Sequence, residues 1–166
     1  MLFLRTVLNL LVEVDNRMLS KSHIGRLSEE REIAIERGQL KLFAKAIGET
    51  NPVYFNVEFA KKQGYPDLLA PPTFGSCLRL LAPAEELSYE SLGIDYKRLL
   101  HAEESFEYYL PLYANDEVVL QGEVIDIFDK KGGALQFLVM QTEIKKNQKL
   151  AQVIRGTLVM KEATND

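Results

Sequence analysis

The second half of the chain constrains the fold most, because it keeps a two-residue period through successive runs. Phe106, Tyr108 and Leu110 alternate with polar neighbours, and Val118, Leu120, Gly122 and Val124 do the same. That is the pattern of strands with one face in a core and the other in water. Asp129-Lys130-Lys131-Gly132-Gly133 reads as a hairpin turn into a run from Leu135 to Ile144. Lys145 to Lys149 is a second polar turn, leading to a run from Leu150 to Met160. Strands joined by such short connections form an antiparallel meander.

The first half has a different period. Glu32-Ile33-Ala34-Ile35-Glu36 alternates as one short strand. Gly38 then opens a helical pattern in which Leu40, Phe43, Ala44 and Ile47 share one face, and Gly48 fits its stop. Asn51-Pro52 is a turn signal, and Asn56 is placed to cap a second short helix from Val57 to Gln63, closed by Gly64. Pro71-Pro72 marks the entry to a third helix, Thr73 to Leu81. With Phe74, Cys77, Leu78, Leu80 and Leu81 it is apolar nearly all round, which implies burial against a sheet. A polar connection from Ala84 to Lys97 leads into the strands. The order predicts an α+β fold: one antiparallel sheet wrapped around one long central helix.

A chain of 166 residues, 46% hydrophobic and 27% charged, suits a single globular domain. Its net charge of −4 argues against a nucleic-acid partner, which requires a basic face. Cys77 stands alone, so the expected compartment is the reducing cytoplasm. His23 and His101 lie far apart with no Cys cluster, so no metal site is expected. No phosphate loop, dinucleotide fingerprint or Ser-His-Asp set is present, and no cofactor is called for.

Residues 1–21 are set apart as an N-terminal extension, 22–161 as the domain, and 162–166 as a tail. Met1 to Val12 is apolar but short of the ~20 residues a membrane span needs. Glu13, Asp15 and Arg17 follow where a cleavage site would stand. Three readings are open: a docking helix, a marginal signal peptide, or residues upstream of a start at Met18.

The segment Gly48-Glu49-Thr50-Asn51-Pro52-Val53-Tyr54, with Gly64-Tyr65 and Ala70-Pro71-Pro72-Thr73-Phe74, resembles the MaoC-like hydratase/dehydratase family. The likeness is to its N-terminal, FAS1-like dehydratase type of half-domain and runs from about Ile24 to Lys161. It implies a hot-dog fold. In active members this loop reads Asp-x-Asn-Pro-x-His. The Asp and His hold water and manage its protons, while N–H groups at the start of the central helix polarise a thioester carbonyl. Here Glu49 stands at the Asp position and Tyr54 at the His position.

The resemblance makes Glu49, Tyr54 and His101 the catalytic candidates, and Asn51, Tyr65, Thr73, Phe74 and Gly75 the substrate-binding ones. Each has a plainer reading. Glu49 can be a solvated carboxylate past a helix end, and Tyr54 a packing residue whose phenol titrates too high to cycle protons near neutrality. His101 can bond backbone at a strand start, Asn51 can hold its own loop, and Gly75 can serve packing. Asp116, after Asn115, reads as a turn residue.

Half-domains of this type often work beside a second hot-dog that carries the intact loop. The function expected is a subunit of an (R)-specific 3-hydroxyacyl-thioester dehydratase or enoyl-thioester hydratase, acyl-binding and weakly or non-catalytic alone. Its substrate would be an acyl-CoA or acyl-ACP thioester. Its partner would be a second copy, or a catalytic hot-dog subunit in a heterodimer. Two alternatives stay open: an acyl-CoA thioesterase using Glu49, and a non-enzymatic acyl-thioester-binding module.

Overall fold

The structure is a computed structural model and describes residues 19–82 and 87–161. The readings made for residues 1–18 and for the tail 162–166 lie outside these. Five strands form one antiparallel sheet: β1 (Arg31–Ala34), β2 (Leu99–Tyr108), β3 (Glu117–Lys130), β4 (Leu135–Lys146) and β5 (Lys149–Lys161). Their spatial order is β1-β3-β4-β5-β2. Three α-helices, α1 (Arg37–Ala46), α2 (Val57–Lys62) and α3 (Phe74–Leu81), intervene between β1 and β2.

Turn chemistry sets the meander. Gly132 and Gly133 both take positive φ between β3 and β4. The β4–β5 turn is tighter than the sequence suggests: Asn147 and Gln148 both have positive φ, the two-residue geometry that matches strand twist. Val118, Leu120, Gly122 and Val124 are buried in alternation, as the period predicts. A register shift between Val124 and Asp126 then moves the buried face on to Ile127. Such bulges bend a strand, and others fall in β2 and beside Ile144.

The core under α3 gathers Phe74 and Leu78 with Leu40 and Ala44 of α1, and with Leu120, Ile144 and Ile154 of the sheet. Phe43 meets Phe74 edge-on at 5.5 Å between ring centroids. A second core lies towards the far end of the sheet, where Leu19, Leu92 and Ile94 pack on Val124, Leu138 and Leu158. Leu19 is fixed there by both backbone groups, which bond the buried Gln136 side chain.

Three local expectations change. Leu80 is 86% exposed and Leu81 46%, because a helix of eight residues turns only the Phe74–Leu78 stripe to the sheet. Ile47 leaves the α1 face because the helix ends at Ala46. The connection read as polar contributes Leu87, Leu92 and Ile94 to the second core.

Candidate active site

Hydrogen bonds to the chain's own side chains build the loop after α1. Gly48 has φ +78°, and Glu49 N–H returns to Ala44 carbonyl at 2.9 Å, closing the helix. Asn51 Oδ1 accepts from Val53 N–H at 3.1 Å, so its amide oxygen serves the turn. Asn56 Oδ1 accepts from Phe59 N–H at 2.9 Å and caps α2. Leu69 N–H donates to Val53 carbonyl at 3.3 Å, which ties the loop to the segment leading into α3.

Glu49, Tyr54 and Tyr65 are half-buried and close enough to act on one another electrostatically. Burial, then the Glu49 carboxylate, then Tyr65 push the Tyr54 hydroxyl above its ordinary value of 10.0. Tyr54 therefore stays a neutral phenol at pH 7 and can donate a hydrogen bond but not take up a proton. Tyr65 meets Tyr113 at 6.1 Å, and Lys146 sits over the Tyr113 ring at 4.8 Å. Lys146 also pairs with Asp116 at 2.7 Å, and Asp116 Oδ2 accepts from Tyr113 N–H, as befits a turn residue.

The start of α3 opens on a different space. A cavity of about 340 Å³ is lined by Leu69 to Pro72, Phe74, Gly75, Tyr108 to Leu112, and Gln152. Its walls are mostly apolar, apart from Gln152 and the two tyrosines. Of the predicted substrate-binding residues, Phe74 and Gly75 border it; Thr73 is exposed at the helix entry, and Asn51 and Tyr65 stand with the Glu49 loop. Neither Glu49 nor Tyr54 lines this cavity.

His101 belongs to a third place. A cavity of about 560 Å³ at the other end of α3 is lined by Ser76, Arg79, Leu80, Tyr96, His101 and Glu104, among others. Glu104 accepts from Ser76 Oγ at 3.0 Å and pairs with Arg79, which bridges α3 to β2 in the wall of this cavity. A Cβ at Gly156 would stand 3.9 Å from both Arg79 Nη1 and His101 Nε2, so the two side chains lean over that glycine. Burial pushes the half-buried Cys77 thiol up, which keeps it unreactive.

Sequence reasoning missed two polar anchors. Ser76 and Arg79, three apart on α3, form a polar stripe that the helix's apolar content hid. Asp67, 7% exposed, takes a two-pronged bond from Arg37 at 2.9 and 2.6 Å, and bonds from Asn115 and Leu68 N–H. Tyr65-Pro66-Asp67 carries no spacing signal that would have announced it. Among the described residues no group of His, Cys, Asp and Glu could hold a metal, and no helix is long and apolar enough to cross a membrane.

Comparison with known proteins agrees with this geometry. The chain is 32% identical over 127 residues to a UPF0336 protein of Thermobifida fusca, covering 76% of this chain and 82% of the relative. It is 34% identical over 127 residues to a UPF0336 protein of Saccharopolyspora erythraea, covering 76% and 80%. Among solved structures, a chain of the HadBC (3R-hydroxyacyl-ACP dehydratase) complex from Mycobacterium tuberculosis superposes with a TM-score of 0.72 at 20% identity. That match covers 86% of this chain and 99% of the other. The ChsH1-ChsH2 complex of the same organism gives 0.70 at 16% identity, covering 88% and 89%. The fold is the hot-dog of the MaoC-like dehydratases. Residues 22–154 match the model of the FAS1-like, dehydratase domain region, and the chain belongs to that family.

Proposed function

We propose that the chain is the acyl-binding subunit of an (R)-specific 3-hydroxyacyl-thioester dehydratase or enoyl-thioester hydratase, weakly or non-catalytic alone. Its partner is a hot-dog subunit that carries the intact Asp-x-Asn-Pro-x-His loop. The observation that carries this reading is Tyr54. It stands where the family's imidazole would be, and burial with Glu49 beside it holds the phenol protonated well past neutrality. Moving water onto or off an enoyl thioester needs a group that both takes and gives a proton near pH 7. The position that would work beside Glu49 is therefore a hydrogen-bond donor only.

The remaining parts suit binding. The start of α3, with Phe74 and Gly75, borders a largely apolar cavity. Gly75 N–H is the one in that turn not taken by a backbone carbonyl among the described residues, which suits a thioester carbonyl with its acyl chain. Two complexes among the fold neighbours, the HadBC dehydratase and ChsH1-ChsH2, support a two-subunit arrangement.

Crotonyl-CoA hydration is the test, with the chain alone and with a partner bearing the intact loop. The expected result is background turnover alone and at least a hundredfold more in the pair. Full activity from the lone chain, abolished by Glu49→Ala, would overturn the subunit reading. Release of free CoA that Glu49→Gln removes would mark a thioesterase instead.

A further inference from the structure

We propose that Gln152 reads the substrate's hydroxyl: its side-chain carbonyl accepts a hydrogen bond from the 3-hydroxyl of a 3-hydroxyacyl thioester bound at the start of α3. This rests on the acyl-binding role proposed above and narrows it to one oxidation and hydration state of the acyl group.

Gln152 lies on β5 and is 2% exposed. Its amide orientation is fixed by its neighbour: Nε2 donates to Pro72 carbonyl at 3.0 Å, a partner that accepts only from the nitrogen. Oε1 is thereby turned to Gly75, where a Cβ would stand 2.2 Å from it. Oε1 has no hydrogen-bond partner among the described residues, and Gln152 borders the cavity of about 340 Å³. Oε1 is not sealed away, so from the largely apolar wall it is open to a donor carried in by a ligand.

The donor must fit what stands beside it. Gly75 N–H lies in the first turn of α3, where no intrahelical acceptor is available, so the wall offers a donor and an acceptor side by side. A trans amide cannot use both, because its C=O and N–H point in opposite directions. A thioester carbonyl and a hydroxyl on the β-carbon can turn to the same side and use both. The enoyl product lacks the hydroxyl and leaves Oε1 unmet, so the pocket favours the hydrated form.

The test is calorimetric titration of the full chain with (R)-3-hydroxybutyryl-CoA and with butyryl-CoA, which differ only in the hydroxyl. The expected preference for the hydroxyacyl ligand is about tenfold, the worth of one buried hydrogen bond. In Gln152→Met, of similar shape, the ratio of the two affinities falls to about one. Equal affinities in the unmodified chain would overturn the hydroxyl assignment while leaving the acyl-binding role intact, and need no variant to be folded. A preference that survives in Gln152→Met would also overturn it. No binding of either ligand would overturn both the assignment and the role beneath it.

Discussion

Gly75 is the residue on which the candidate site closes most tightly. A methyl group there would meet Gln152 Oε1 at 2.2 Å and Ile154 Cδ1 at 2.9 Å. Real side chains do not sit so close, so either Gln152 gives up its bond to Pro72 or α3 moves off the sheet. Overpacking of that kind costs about 1–3 kcal/mol. Gly75→Ala is expected to lower the unfolding free energy from urea titration by that much and to weaken butyryl-CoA binding together with it. Stability equal to the parent chain would show that α3 does not rest on β5 at this point. Gly156 faces no such restriction: its nearest neighbours are the flexible ends of Arg79 and His101 at 3.9 Å.

At the scale of elements, Asp67 is the joint between α1, the segment entering α3 and the turn before β3. Arg37 at the first residue of α1, Asn115 in the turn and Leu68 N–H all bond its carboxylate. The Arg37 hydrogen bonds hold the Asp67 pKa below its ordinary value, against the opposing effect of burial. A lowered folded pKa contributes stability that is complete above the unfolded value of about 4 and is lost as pH falls through the folded one. Asp67→Asn is therefore expected to unfold at lower urea than the parent at pH 7, with the gap narrowing below about pH 4. A gap that does not change with pH would mean that shape, not charge, makes the joint. This joint shows where sequence reading stops. The strand meander, the Asn56 cap and the Gly48 stop were legible because each follows from local period or turn chemistry. The Asp67 set joins residues 30 and 48 positions apart, and nothing local marks it. The same holds for the candidate site. The Glu49–Tyr54 loop and the α3 entry were visible as motifs, but Gln152, nearly eighty residues beyond Gly75, becomes part of the site only when β5 passes under α3.

On the scale of the whole molecule, the sheet has two ends that differ sharply. β1 is four residues long, whereas β2 presents ten residues with one edge unpaired among the described residues. On that strand Leu100 and Tyr108 are 51% and 55% exposed, Tyr109 just after it 53%, and Leu80 on α3 86%. A long open edge flanked by apolar side chains is a template for pairing unless something covers it. Both cavities lie between α3 and β2, so a chain docked along this edge would also close them from water. A second hot-dog has the matching strand to offer, which is the partner the proposed function requires. Leu80→Glu and Leu100→Glu test this surface without disturbing the core, since exposed positions change folding stability by about half a kcal/mol or less. Each variant is expected to keep the thermal midpoint of the lone chain while weakening association with the catalytic subunit at least tenfold in sedimentation velocity. Hydration activity of the mixture should then fall in step with the associated fraction. Variants that still associate like the parent would place the partner elsewhere and leave the β2 edge without an occupant.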